Sequence, residues 1–204
     1  MELVKYNIEL DITNRLEGCP VLDRAIIDHA SPTLAKLKLG NLFNHAMGED
    51  FPAEFAALRK QLEDRGVTMT ILKVSRGKAL IYLYRAEELE KTLADAGVRR
   101  LLEACGYRRF DVGGALQTLR ARLQDLDAFP HEIGVFLGYP LEDVLGFIKN
   151  GGRNCLSCGC WKVYSNECEA LKAFERYEKC KAVYQRLFAS GCPLTRLTVA
   201  ARPA

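Results

Sequence analysis

Residues 68–85 read Thr-Met-Thr-Ile-Leu-Lys-Val-Ser-Arg-Gly-Lys-Ala-Leu-Ile-Tyr-Leu-Tyr-Arg. Two runs, 68–75 and 79–85, are rich in β-branched and aromatic residues, and Arg76-Gly77-Lys78 separates them. That pattern predicts a β-hairpin. The second run is apolar at successive positions, as a strand covered on both faces must be, so it is expected to be central in its sheet. Lys73, Arg76 and Lys78 then cluster around the turn as solvated charges.

Outward from the hairpin the period changes to that of helices. Before it, Phe51, Phe55, Leu58 and Leu62 share one helical face, with Asp50 as the expected N-cap and Gly66 beyond the end. Residues 39–46 are short and apolar enough for a strand. Helical spacing recurs over 2–30, broken at Gly18-Cys19-Pro20, and Pro32 is expected to interrupt it at 29–33. After the hairpin, Leu89 and Leu93 start a helix expected to stop at Gly97. Val98 to Cys105 form the next, closed by Gly106, and Val112 to Leu123 follow an Asp111 cap. Asn166 with Glu169 opens a helix through Leu187, and 194–200 reads as an edge strand. These elements predict an α+β fold in a single domain, 1–204. Its sheet is small, mostly antiparallel, built on the hairpin and covered by several helices.

The 204 residues are 49% hydrophobic and 27% charged, with a formal net charge of +3. The balance is that of a globular core, and the charge gives no footing for nucleic acid or membrane. No apolar run approaches the roughly 20 residues of a membrane helix. The N-terminus lacks the apolar core of a signal peptide, so the expected location is the cytoplasm, with no membrane partner. Eight cysteines in a reducing compartment are buried thiols, metal ligands or redox groups.

Reactive side chains concentrate in residues 129–164, FPHEIGVFLGYPLEDVLGFIKNGGRNCLSCGCWKVY. The window holds His131, the only tryptophan, three cysteines and six glycines. Two short helices, 132–137 and 141–149, are expected to meet at Gly138-Tyr139-Pro140, with Gly134 at their crossing. Their spacing matches a helix-turn-helix. However, Glu142 and Asp143 open the second helix and repel phosphate, so core packing is preferred over DNA binding. Asn150-Gly151-Gly152-Arg153-Asn154 follows a helix C-terminus, the wrong end for a phosphate cradle.

The segments FPHEIGVFLGYPLEDVLGFI and GCWKVY, with HASPTLAKLKLGNLF upstream, are similar to a bacterial family catalogued as domain of unknown function number 3793. The resemblance spans nearly the whole chain and implies no assigned activity, substrate or cofactor.

Several chemistries fit the candidate residues. Cys155, Cys158 and Cys160 have the spacing of thiolate ligands, which with His131 would hold zinc or iron. The same CxxC pair could instead cycle between dithiol and disulfide. His29, His131 and Glu132 are the candidate acid–base groups. Arg153, Trp161 and Tyr164 are the candidate ligand contacts, Arg153 as an anion clamp. The leading expectation is a cytosolic accessory protein binding a metal or redox-active ligand near 129–164. The alternatives are an enzyme pairing a histidine with a cysteine or carboxylate, and a DNA-binding protein acting through 132–149. The oligomeric state is open.

Overall fold

The computed structural model describes residues 21–124 and 129–200. The predicted hairpin forms from β2 (Val67–Ser75) and β3 (Lys78–Arg85). Arg76 and Gly77 make the turn with φ of 51° and 71°, the doubly left-handed geometry that matches strand twist. β1 (Gly40–Ala46) pairs on the other side of β3, giving an antiparallel sheet in the order β1-β3-β2. A bulge at Leu72 shifts the β2 register between Ile71 and Lys73.

The central strand is buried from Ala79 to Arg85 because both sheet faces are covered. Ala79, Ile81 and Leu83 face a core built with α1 (Val21–Leu34), α2 (Phe51–Glu63) and α9 (Leu194–Leu197). Leu80, Tyr82 and Tyr84 face the opposite core. That core is built from α3 (Ala86–Ala94), α4 (Ala96–Ala104), α5 (Val112–Gln124), α6 (Ile133–Phe136) and Val144 of α7 (Leu141–Asn150). A second sheet, β4 (Ser157–Cys158) with β5 (Lys162–Val163), leads into α8 (Glu167–Ala189). α8 returns along α1, where Gln185 Nε2 donates to Asp28 Oδ1 at 2.6 Å. The fold is α+β, as expected.

Several local expectations are corrected. Pro32 does not interrupt α1, which continues to Leu34. A mid-helix proline costs about 3 kcal/mol. Burial of Leu22, Ile26, Ile27 and Leu34 offsets this at roughly 1.5–3 kcal/mol each. The Ser31 hydroxyl also bonds back to the Ile27 carbonyl, and Arg85 closes the helix end by donating to the Thr33 and Leu34 carbonyls. Gly97 does not end α3. Asp95 caps a new helix by accepting from the Gly97 and Val98 amides at 2.8 and 2.9 Å, so Gly97 lies in the first turn of α4. There a Cβ would meet Leu141 at 2.7 Å.

Asp50 precedes α2, but its side chain makes no capping bond. Residues 194–200 do not add a strand: Leu194 and Leu197 are buried at a helical spacing, and Thr198 Oγ1 bonds to the Leu194 carbonyl. In the stretch 161–164 only Lys162–Val163 pairs as a strand. The helix expected over 2–20 falls outside the described residues.

Candidate functional site: an aromatic cavity around Lys38

α6 and α7 meet as predicted. Gly138 turns the chain with φ 74°, and a Cβ on Gly134 would come within 2.8 Å of Val144. The inward side of α7 presents Asp143, whose carboxylate is buried and ties the helix to the second hairpin. Oδ2 accepts from Trp161 Nε1 at 2.7 Å. Oδ1 accepts from the Tyr164 and Ser165 amides and the Ser165 hydroxyl at 2.8–2.9 Å. Three donors share Oδ1 and one takes Oδ2, four in all, which matches the roughly four acceptor sites of an ionised carboxylate.

This anchor fixes Trp161 against Tyr139 and Phe174, with ring centroids 5.1 and 4.5 Å away. Tyr139 in turn donates its hydroxyl to the Cys160 carbonyl at 3.0 Å. The resulting wall faces α1 and α8 across a cavity of about 290 Å³. His29, Lys38, His131, Tyr139, Cys160 and Trp161 are among its lining residues. His29 stacks on Phe43 at 5.3 Å and His131 tilts against Phe147 at 5.0 Å, so both imidazoles are held by aromatic neighbours.

The group with most electrostatic consequence is Lys38. Lys36 adopts φ 59° just after α1, and the Leu37 and Lys38 amides both donate to the Pro32 carbonyl. This tight reversal folds Lys38 back over the cavity, with its ammonium 5.2 Å from the centre of the Tyr139 ring. No ion pair to a described residue accompanies it. Burial pulls the amine down to about 8, opposed by the Cys160 thiol beside it. Burial also pushes Cys160 up, with Lys38 opposing.

Most other charges in the lining are occupied. Asp28 is bonded to Arg24 and Gln185, Asp143 to four donors, and Lys162 donates to the Gly152 carbonyl. Glu178 is exposed at the α8 edge, and its charge and that of Lys181 act on Cys160 in opposite directions.

The sequence-predicted residues divide. His29, His131, Cys160 and Trp161 converge on this cavity. Glu132, next to His131, turns the other way into the core, where it accepts from Arg122 and from the Tyr107 hydroxyl. It is a structural ion-pair partner and does not line the cavity. Arg153 is exposed in the turn after α7, where Gly151 at φ 56° makes a left-handed C-cap. Tyr164 packs its ring over Gly146, outside the cavity.

Cys155 and Cys158 lie on the second hairpin with their sulfurs 3.2 Å apart, and neither lines the cavity with Cys160. Among the described residues no group of three or more His, Cys, Asp or Glu is placed to hold a metal. The outer side of α7 shows Glu142, Leu145, Ile148 and Lys149, one acid and one base with two aliphatics, and offers no row of donors for base edges. No helix among the described residues is long and apolar enough to cross a membrane.

Lys38 was missed by sequence reasoning. The available signal was a lysine between Leu37 and Leu39 at the entry to a strand. Lys36, two positions earlier, carries a similar pattern and is exposed.

Comparison with curated proteins and with solved structures gives no match. The residues that line the cavity, from Asp28 to Lys181, fall within residues 26–198, which match the family described as protein of unknown function, DUF3793, and the chain belongs to that family.

Proposed function

We propose that the protein binds a small organic anion with a flat, apolar body in the Lys38 cavity. The observation that carries this reading is an ammonium drawn into an aromatic-walled cavity with no ion pair to a described residue. A buried cation is costly unless paired. An anionic ligand supplies the missing partner, and Tyr139, Trp161 and Phe147 supply flat apolar contact. The volume is at the small end for ligand sites, which favours a single-ring carboxylate. His29 and His131 add proton-carrying hydrogen-bond partners at the same site.

The reading keeps the accessory role expected near 129–164 but exchanges a metal for an organic ligand. Separation of Cys160 from the Cys155–Cys158 pair supports that exchange. The unbridged thiols are consistent with the reducing cytosol proposed for the chain.

Trp161, the chain's only tryptophan, is the reporter. Its fluorescence would be titrated with benzoate and with the neutral analogue benzamide, in the native chain and in Lys38→Met. Benzoate is expected to bind at least tenfold more tightly than benzamide, and Lys38→Met should abolish that preference. Equal binding of the two compounds, or no response to either, overturns the proposal.

A further inference from the structure

The β4–β5 hairpin carries a second cluster, separate from the cavity. Cys155 is half-buried and Cys158 exposed, with their sulfurs 3.2 Å apart. A disulfide bond is about 2.05 Å long, so only about 1 Å has to close. Two buried hydroxyls belonging to this hairpin, Ser157 Oγ and Tyr164 Oη, have no hydrogen-bond partner among the described residues. The Tyr164 hydroxyl is near enough for both sulfurs to push it up, after the larger effect of burial.

The bond between the two thiols is the first cause raising Cys155, while Lys162 pulls it down. Either sulfur can donate in that contact, and Cys158, the exposed one, is the accessible nucleophile. Cys160, two residues on, faces the cavity and is pushed up by burial, which separates it from this pair.

We propose that Cys155 and Cys158 form a thiol–disulfide exchange site for low-molecular-weight disulfides. The Cys158 thiolate attacks one sulfur of the incoming disulfide, forming a mixed disulfide and releasing one thiolate. Cys155 loses its proton to solvent and attacks the Cys158 sulfur. The protein disulfide forms and the second small thiolate departs. One small disulfide is thereby reduced to two thiols, and the protein dithiol supplies the two electrons and two protons. Nothing in the exchange requires an occupied cavity.

Glutathione buffers of increasing oxidised fraction, followed by acid quenching and peptide mass mapping of the full chain, test this. The native chain is expected to lose both thiol hydrogens in a Cys155–Cys158 bridge, retain no glutathione there, and revert with dithiothreitol. Cys155→Ser should trap glutathione on Cys158. Cys158→Ser, at an exposed position that tolerates the change, should leave Cys155 unmodified. Glutathione retained on native Cys158 overturns the inference, as does a bridge from Cys158 to Cys160. So does an unreactive pair at the most oxidising ratio, or a Cys155→Ser chain without an adduct on Cys158.

Discussion

Replacing Lys38 with methionine should stabilise the fold while removing anion binding, because the ammonium is held against its own preference. Burial keeps the amine at about 8, where its ordinary value is 10.5. At about 1.4 kcal/mol per pH unit, that difference disfavours the fold by ~3 kcal/mol at neutral pH. Below about pH 8 the amine is protonated both folded and unfolded, so the penalty is present in full. Between about 8 and 10.5 the unfolded chain binds the proton and the folded chain does not, so stability rises with pH. Above 10.5 the penalty is gone.

Methionine is an unbranched apolar side chain one atom shorter, so it keeps most of the contact and removes the charge. Urea unfolding followed by Trp161 fluorescence should show Lys38→Met more stable by about 2–3 kcal/mol at pH 7, with the advantage fading toward pH 10.5. The lower figure allows for the part of the side chain that reaches solvent. A destabilised variant, or a gain that does not change with pH, would refute the reasoning and make Lys38 a structural residue. Stability given up at a functional position is the general expectation for binding sites.

Other perturbations bear on the frame around the cavity. Asp143→Ala leaves the buried Trp161 indole and the Tyr164 amide without an acceptor, and should cost about 3–5 kcal/mol in denaturant unfolding. Glu132→Gln should cost about 1–3 kcal/mol by weakening the bonds to Arg122 and Tyr107, yet leave benzoate affinity unchanged. An affinity loss beyond tenfold at Glu132 would return it to the site. Gly146→Ala puts a Cβ within 2.5 Å of the Tyr164 ring and should destabilise by about 1–3 kcal/mol, measured by thermal unfolding.

Much of the fold was legible in the sequence where local signals and tertiary demand agree. The hairpin turn needed two left-handed residues, and Arg76-Gly77 supplied them. The apolar run that followed became the central strand because neither of its faces could meet water. Local signals failed where burial or capping acted against them. Pro32 sits inside a helix held down by its apolar face, and Gly97 sits inside one restarted by Asp95.

The site was half legible. His131, Cys160 and Trp161 belong to one chemically dense window, and the α6–α7 corner directs them to a common wall. Glu132 was misleading because its side chain and that of His131 diverge in the turn before α6, and its carboxylate found Arg122 instead. Lys38 was invisible because its importance depends on a backbone reversal at Lys36 and on aromatic walls more than 90 residues away along the chain.

The central claim, that the Lys38 ammonium is the ligand's counter-ion, is tested most directly by the pH dependence of benzoate affinity. Benzoate is fully ionised throughout the alkaline range, so any change there belongs to the protein. Affinity in the native chain should hold steady below about pH 8 and then fall by up to tenfold per pH unit as the free amine loses its proton. Lys38→Met should bind weakly with a flat profile. A native profile that stays flat from pH 7 to about pH 10, or one that Lys38→Met reproduces, would contradict the account.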